Sequence, residues 1–459
     1  MSFTLINDGF NFFIALGGAA MMCIIITILS LLCRVSLSKS LEGGLRMAIA
    51  LTGMGSVISL LTDAFAPALQ AFVHSTGMSL TITDLGWAPL ALITWGSIYT
   101  LYFAFICIIT NIVLLVTKSV KTLNVDLFNI WNISIIGLVF NHYSGNNIVM
   151  TSIFVIGIYT CMLFNGDALK PSINHVLHYK KSNITTTTHP SLLISPLIYV
   201  CNKIIDICCP WLDRYDFDAQ SLSDKIGFWG SKFAIGAYLG IFIGVLGQQD
   251  LKNIFTLAFV GGVALELFSI VGGWFGPAIE PLSDGISTMM KNRFKGRELF
   301  IAIDWPILAS RAELWAVANI LAPILLIIAL FLPGNKVLPL GGIILTVLTP
   351  ALLVITRGKV IRMTVIGTIL IPLFLWAATA IAPFITSASA AMGNIPKGMA
   401  AGQLFSSVDS NPIEKLLAIC TGTAVKTLSL PYVTGSIVLL ILYVLLFVWY
   451  IKSLRKESK

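Results

Sequence analysis

Two aspartates stand at the edges of apolar stretches with a proline soon after: Asp84 in Asp84-Leu-Gly-Trp-Ala-Pro89 and Asp304 in Asp304-Trp-Pro306. An aspartate just ahead of a helix accepts hydrogen bonds from the free N–H groups of the first turn, and proline suits that turn. Capping therefore accounts for at least one of the pair. The same arrangement lets a broken helix aim its N-terminus at a ligand inside a membrane protein, where an ionisable side chain marks a candidate site. Asp304 is favoured, because the apolar segment Glu298–Pro306 is too short to cross a bilayer and reads as a re-entrant turn. In Asp126-Leu-Phe-Asn-Ile-Trp-Asn132, Asn129 and Asn132 lie three apart on one helical face, with Asn141 and His142 toward the other end. Such amides either bond neighbouring helices or contact a ligand. Trp87, Trp95, Trp131 and Trp305 suit membrane interfaces; stacking on the C–H face of a polyol is assigned to Trp87 alone. Glu266, in an otherwise uncharged run, is expected to be paired inside the bundle.

Signals of other chemistry are missing. There is no Walker loop, no GxGxxG after a strand and no HExxH spacing, so no cofactor or metal is expected. The five histidines, His74, His142, His175, His178 and His189, do not cluster with a nucleophile. If phosphate is transferred, the phosphorylated residue must belong to another subunit. The eight cysteines include no CxxC pair and read as structural.

The elements that must position these residues are transmembrane helices. The 459 residues are 57% hydrophobic and only 11% charged, against about 25% charged in a soluble domain. The net charge of +8 comes from basic residues in short loops between apolar runs, a positive-inside pattern that leaves no basic face for nucleic acid. Hydropathy predicts about eleven crossings, at Phe10–Cys33, Leu45–Thr62, Ala88–Thr117, Leu127–His142, Asn146–Phe164, Phe228–Gln248, Ile254–Phe275, Leu314–Leu332, Leu340–Thr356, Met363–Phe384 and Val433–Ile451. The first run has no basic residue before it and is too long for a signal peptide. Basic loops then put the N-terminus outside and the C-terminus in the cytosol.

Four units follow: a first transmembrane repeat (1–164), a cytosolic linker with an amphipathic stretch (165–227), a second repeat (228–386), and an extracytoplasmic segment, final helix and cytosolic tail (387–459). Each repeat has a glycine-dotted crossing, an aspartate–tryptophan–proline cluster, a long crossing and an Asn-containing turn, at Leu123–Leu127 and at Gly334–Pro339. Five crossings precede the linker, so the second repeat is inserted upside down. Inverted repeats characterise secondary transporters, with the substrate site near the midplane. A neutral, hydroxyl-rich solute such as a sugar alcohol suits carboxylates and amides without an arginine clamp.

Asn124-Val-Asp-Leu-Phe-Asn-Ile-Trp131, Asp84-Leu-Gly-Trp87 and Pro333-Gly-Asn-Lys-Val-Leu-Pro339, in that combination, resemble the galactitol-type enzyme IIC family of the phosphoenolpyruvate-dependent phosphotransferase system. The likeness extends along nearly the whole chain. It implies an all-α polytopic protein of the bacterial cytoplasmic membrane that moves a polyol inward while subunits IIA and IIB relay phosphate to it. It also implies a homodimer in which a core slides against a dimerising scaffold, in elevator fashion. On that resemblance Asp84, Trp87, Asn129, Asn132 and Asp304 line the core site, with His142 and Asn335 added from their motifs. Asn132 stands where the family pattern has histidine, and Gly342 where it has aspartate; both bear on the substrate. Two rival readings are an ion-coupled carrier that releases unmodified substrate, and a membrane enzyme or receptor working through the long polar stretch.

Overall fold

The computed structural model describes residues 17–75, 80–95, 97, 99–178, 182–214, 227–272, 274, 277, 278, 280–282, 284, 285, 288, 298–339, 342–391 and 403–457. The basic cluster 291–297, Lys180, Lys181, Lys225 and Lys397 lie outside them. Helices α1 (Gly17–Leu32) and α2 (Leu37–Ser75) open the chain. Strand β1 (Ile82–Asp84) leads into α3 (Ala88–Trp95) and α4 (Tyr99–Val116). Strand β2 (Thr122–Asn124) leads into α5 (Leu127–Tyr143), then α6 (Ile148–Val176). Strand β3 (Ile184–Thr185) turns through a short 3-10 helix, His189–Ser191, into α7 (Ser195–Cys208). The second half runs α8 (Lys232–Leu246), α9 (Leu251–Gly272), β4 (Phe300–Ala302) and α10 (Ala312–Phe331). It continues β5 (Val337–Leu338), α11 (Leu348–Thr356), α12 (Val360–Ala391), β6 (Leu404–Ser406), α13 (Pro412–Thr427) and α14 (Leu430–Glu457).

The molecule is mostly helical, and four described helices, α6, α10, α12 and α14, are each long and apolar enough to cross a membrane. Hydropathy alone missed the strands. Six short ones, among the described residues, form two parallel three-stranded sheets, ordered β5-β1-β6 and β2-β4-β3. In each sheet the central strand comes from one half of the chain and both flanking strands from the other. This exchange buries ladder groups that lipid cannot satisfy, because irregular backbone at membrane depth is tolerated only inside protein.

Several expected boundaries move. Ala88–Thr117 breaks into α3 and α4 at Ser97, whose hydroxyl accepts from the Tyr99 N–H. Within Leu340–Thr356 only α11 is helical, and its nine residues are too short to cross. The stretch expected as linker begins as the last turns of α6, and residues 185–196 are fully buried. The segment 387–431, expected outside the membrane, contributes β6 and the buried face of α13. The physical reason is common to both. Their Thr, Ser, Asp and Lys residues lower the hydropathy, yet many of those side chains are buried in the interior instead of facing water.

Helices α1, α2, α8 and α9 pack chiefly on one another. Gly236, Gly240 and Gly244, four apart on α8, let the two backbones touch. A Cβ at Gly240 would stand 2.1 Å from the carbonyl oxygen of Leu257, and one at Gly236 2.2 Å from that of Gly261. Small residues at this spacing are a standard device of membrane helix pairs.

Candidate substrate site

The central strand of each sheet delivers one aspartate. Asp84 ends β1 and is buried. Its Oδ1 accepts from the N–H of Gly86 at 3.0 Å and of Val408 at 3.1 Å, and its Oδ2 from the N–H of Gly342 at 2.5 Å. The carboxylate thus joins three chain segments: its own turn, the stretch after β5 and the stretch after β6. Gly342 is essential to that closeness. A Cβ there would lie 2.7 Å from the Asp409 backbone nitrogen and 3.0 Å from Asp84 Oδ2, so the position has no room for the aspartate that the resemblance leads one to expect.

Asp304 follows β4 and caps a short 3-10 turn. Its Oδ1 accepts from the Trp305 N–H at 2.8 Å and from the Thr188 hydroxyl at 2.9 Å. The His189 ring stacks on Trp305 with centroids 5.0 Å apart and planes 17° from parallel. Its Nδ1 lies 2.7 Å from the carbonyl oxygen of Thr346. A carbonyl only accepts, so a neutral ring carries its proton on Nδ1 and offers the Nε2 lone pair. The Thr346 hydroxyl in turn donates to Asp409, whose Oδ1 also takes the Val347 N–H at 2.8 Å. A continuous run of contacts therefore joins the ends of the two sheets, from Asp84 through Gly342, Asp409, Thr346, His189 and Trp305 to Asp304.

Beside this run stand buried polar atoms with no partner among the described residues. They are the Ser407 hydroxyl, Asn411 Nδ2, Glu414 Oε2 and Lys415 Nζ; both amide atoms of Asn129, on α5, are likewise unpartnered. Asn129 and Asn132 are both buried on α5, and α13 packs on that helix. Buried polar groups are nearly always paired, so such a concentration marks a place where a ligand supplies the partners.

The remaining expected residues lie apart. Trp87 is 52% exposed, just beyond Asp84. His142 is exposed at the far end of α5, its ring against Tyr143 and Phe384. Asn335 is occupied within its own turn: its amide donates to Ala329 and Val337 carbonyls and accepts from the Val337 N–H. Glu266, expected to be paired, has no hydrogen bond or ion pair among those described, and its side chain is half-buried. Sequence reasoning passed over His189, Asp409, Glu414 and Lys415. The four-threonine run ahead of His189, wholly buried, and the Asp409-Ser-Asn-Pro412 helix-start pattern were the signals available.

The surface beside β4 is charged. Lys121 and Lys170 approach Glu298 at 3.0 and 3.5 Å and lie over the Phe300 ring at 5.2 and 4.7 Å. The hydrogen bond from Lys121 holds the Glu298 carboxyl below the usual carboxylate range. A separate cavity of about 1000 Å³ lies between the α1–α2 turn and residues 277–288. Its charges are balanced, Arg34, Lys39 and Arg46 against Glu42, Glu280 and Asp284, and Arg46 is already paired with Glu42 at 2.6 Å. The unpartnered atoms and the two aspartates put the candidate site at the sheet ends, not there. Among the described residues no cluster of His, Cys, Asp and Glu could hold a metal ion.

Two curated relatives are similar to this chain along most of its length. The galactitol-specific EIIC component of the PTS system of Escherichia coli strain K12 is 26% identical over 422 residues, covering 90% of both chains. The galactitol-specific EIIC component of Escherichia coli O157:H7 matches to the same extent. Residues 12–398 match the EIIC-GAT family, described as the PTS system sugar-specific permease component. The strand-borne aspartates and the polar site between them thus belong to a multi-pass permease component of the EIIC-GAT family.

Proposed function

We propose that the chain takes up a sugar alcohol such as galactitol across the bacterial cytoplasmic membrane, with subunit IIB phosphorylating the substrate as it emerges and IIA supplying that phosphate. The observation that carries this reading is the meeting of the two sheet ends around unpartnered polar atoms. Carboxylates, amides, a hydroxyl, one neutral imidazole and a single lysine suit a neutral polyol, and among the described residues there is no arginine there to clamp the charged product of phosphorylation. Asp84, Asp304, Asn129, Asn132 and His189 form the centre of the site; Trp87 and His142 stand toward the outer entrance, and Asn335 shapes a loop.

The strand directions support an inverted arrangement. Every strand of β5-β1-β6 runs the same way, as does every strand of β2-β4-β3. With basic loops cytosolic, the first set enters from outside and the second from the cytosol, and the aspartates face each other at mid-depth. Eleven passes result, with the N-terminus outside and the C-terminus inside, if β2–α5 and β5–α11 each count as one broken pass. Helices α1, α2, α8 and α9 serve as the dimerising scaffold, and the remainder is the core that moves the site between the two faces.

The test is phosphoenolpyruvate-dependent formation of polyol phosphate by membrane vesicles carrying this chain, with and without IIA and IIB. Product that needs both partners and vanishes in Asp304→Asn supports the reading. Accumulation of unmodified polyol without the partners refutes the phosphotransferase coupling and favours the ion-coupled carrier.

A further inference from the structure

Lys415 lies in the first turn of α13 with its side chain wholly buried. A helix N-terminus disfavours a cation, so something else must hold the ammonium there. Glu414, Asp409 and Asp84 all lie within electrostatic reach of it. None of them hydrogen-bonds it. Asp84 receives three backbone N–H groups, Asp409 is engaged by Thr346 and Val347, and Glu414 Oε1 accepts from the Leu193 N–H at 2.8 Å. The buried lysine therefore has no acceptor for its N–H donors among the described residues.

Its neighbours along the chain and across the packing share that condition. Ser407 Oγ and Asn411 Nδ2 precede it on the approach to α13, and the Asn129 amide lies on α5, on which α13 packs. Ammonium, amide and hydroxyl together complement a row of adjacent hydroxyl groups. Three carboxylates against one ammonium disfavour an anionic ligand in the same place.

We propose that Lys415 is a direct substrate ligand, its terminal N–H groups donating to hydroxyl oxygens of a neutral polyol. This inference rests on the polyol reading above. The experiment compares equilibrium binding of radiolabelled galactitol, other hexitols and their monodeoxy derivatives to the purified full chain and to Lys415→Met and Lys415→Arg. Lys415→Met should weaken binding of the parent polyol by about 10- to 100-fold, the range of a charged hydrogen bond. One deoxy derivative should bind the wild type correspondingly weakly, and Lys415→Met should bind that derivative and its parent equally. Lys415→Arg keeps the charge, and with it the fold, but places its donors differently, so it should change which deoxy derivative is penalised. Folded variants that discriminate among the derivatives as the wild type does overturn the inference alone. A wild type that binds no polyol overturns the functional reading and the inference with it.

Discussion

Replacing either aspartate by asparagine removes one charge, yet the two substitutions should differ sharply in stability. Asp84 uses both oxygens. In Asp84→Asn the retained oxygen can serve Gly86 and Val408, but the new NH2 then faces the Gly342 N–H, which sits 2.5 Å from Oδ2 in the native protein. A buried donor left without an acceptor costs about 1–3 kcal/mol, and two facing donors add to that, so the loss should be about 2–4 kcal/mol. In Asp304→Asn both hydrogen bonds end on Oδ1 and survive on the amide oxygen, so the loss should be about 1 kcal/mol or less. Asp84→Ala, which orphans three N–H groups, should cost about 3–6 kcal/mol. Unfolding of the purified protein in mixed micelles at increasing denaturing detergent, followed by tryptophan fluorescence, gives the three differences. Transport measured after the same variants are reconstituted into sealed vesicles separates fold from charge: Asp304→Asn should be folded and inactive. Equal losses for the two asparagine variants, or a neutral Asp84→Asn, would refute the reasoning that Asp84 is the strut and Asp304 the functional charge.

Other outcomes follow from single contacts. Gly240→Leu should push α8 and α9 apart by about 1 Å, since ordinary C···O contact needs over 3 Å where 2.1 Å is available; a lowered melting midpoint in detergent would register it, and an unchanged one would contradict the close approach. Gly342→Asp should abolish polyol binding, because its side chain would enter against Asp84 and Asp409; a binding assay on folded protein decides. Arg362, its side chain only 4% exposed, joins Asp206 and Asp213 and so ties α7 and the turn after it to α12. Partial burial alone would push those two carboxyls up, but hydrogen bonds from Arg362, Lys203 and Lys359 outweigh it and hold both below the ordinary range. Depressed folded-state values mean the tie is complete above the unfolded carboxylate range near pH ~4 and is lost only as pH falls below it. Hydrogen-exchange protection of residues 195–208 should therefore be flat from neutral pH to about 5 and drop under about 4; loss at pH 6 would argue against this tie.

Much of this was legible in the chain itself. Long uncharged runs can only be buried or lipid-facing, so a polytopic helical protein follows from composition. Asp84 and Asp304 could be picked out because a carboxylate beside an apolar run needs a partner. Hydropathy failed where partners were remote in sequence. His189 looked like part of a polar linker, and Lys415 like part of an outside loop, since nothing local reveals that the Thr346 carbonyl lies 2.7 Å from one or that the other is wholly buried. The strands were unreadable for the same reason: two or three residues carry no periodicity, and their ladders exist only between the halves of the chain. The sequence by itself therefore determined that the chain is a mostly helical membrane protein and which aspartates to suspect. Only the tertiary structure decided which polar residues are struts and which remain unpartnered, because whether a hydrogen bond is satisfied depends on atoms hundreds of residues away.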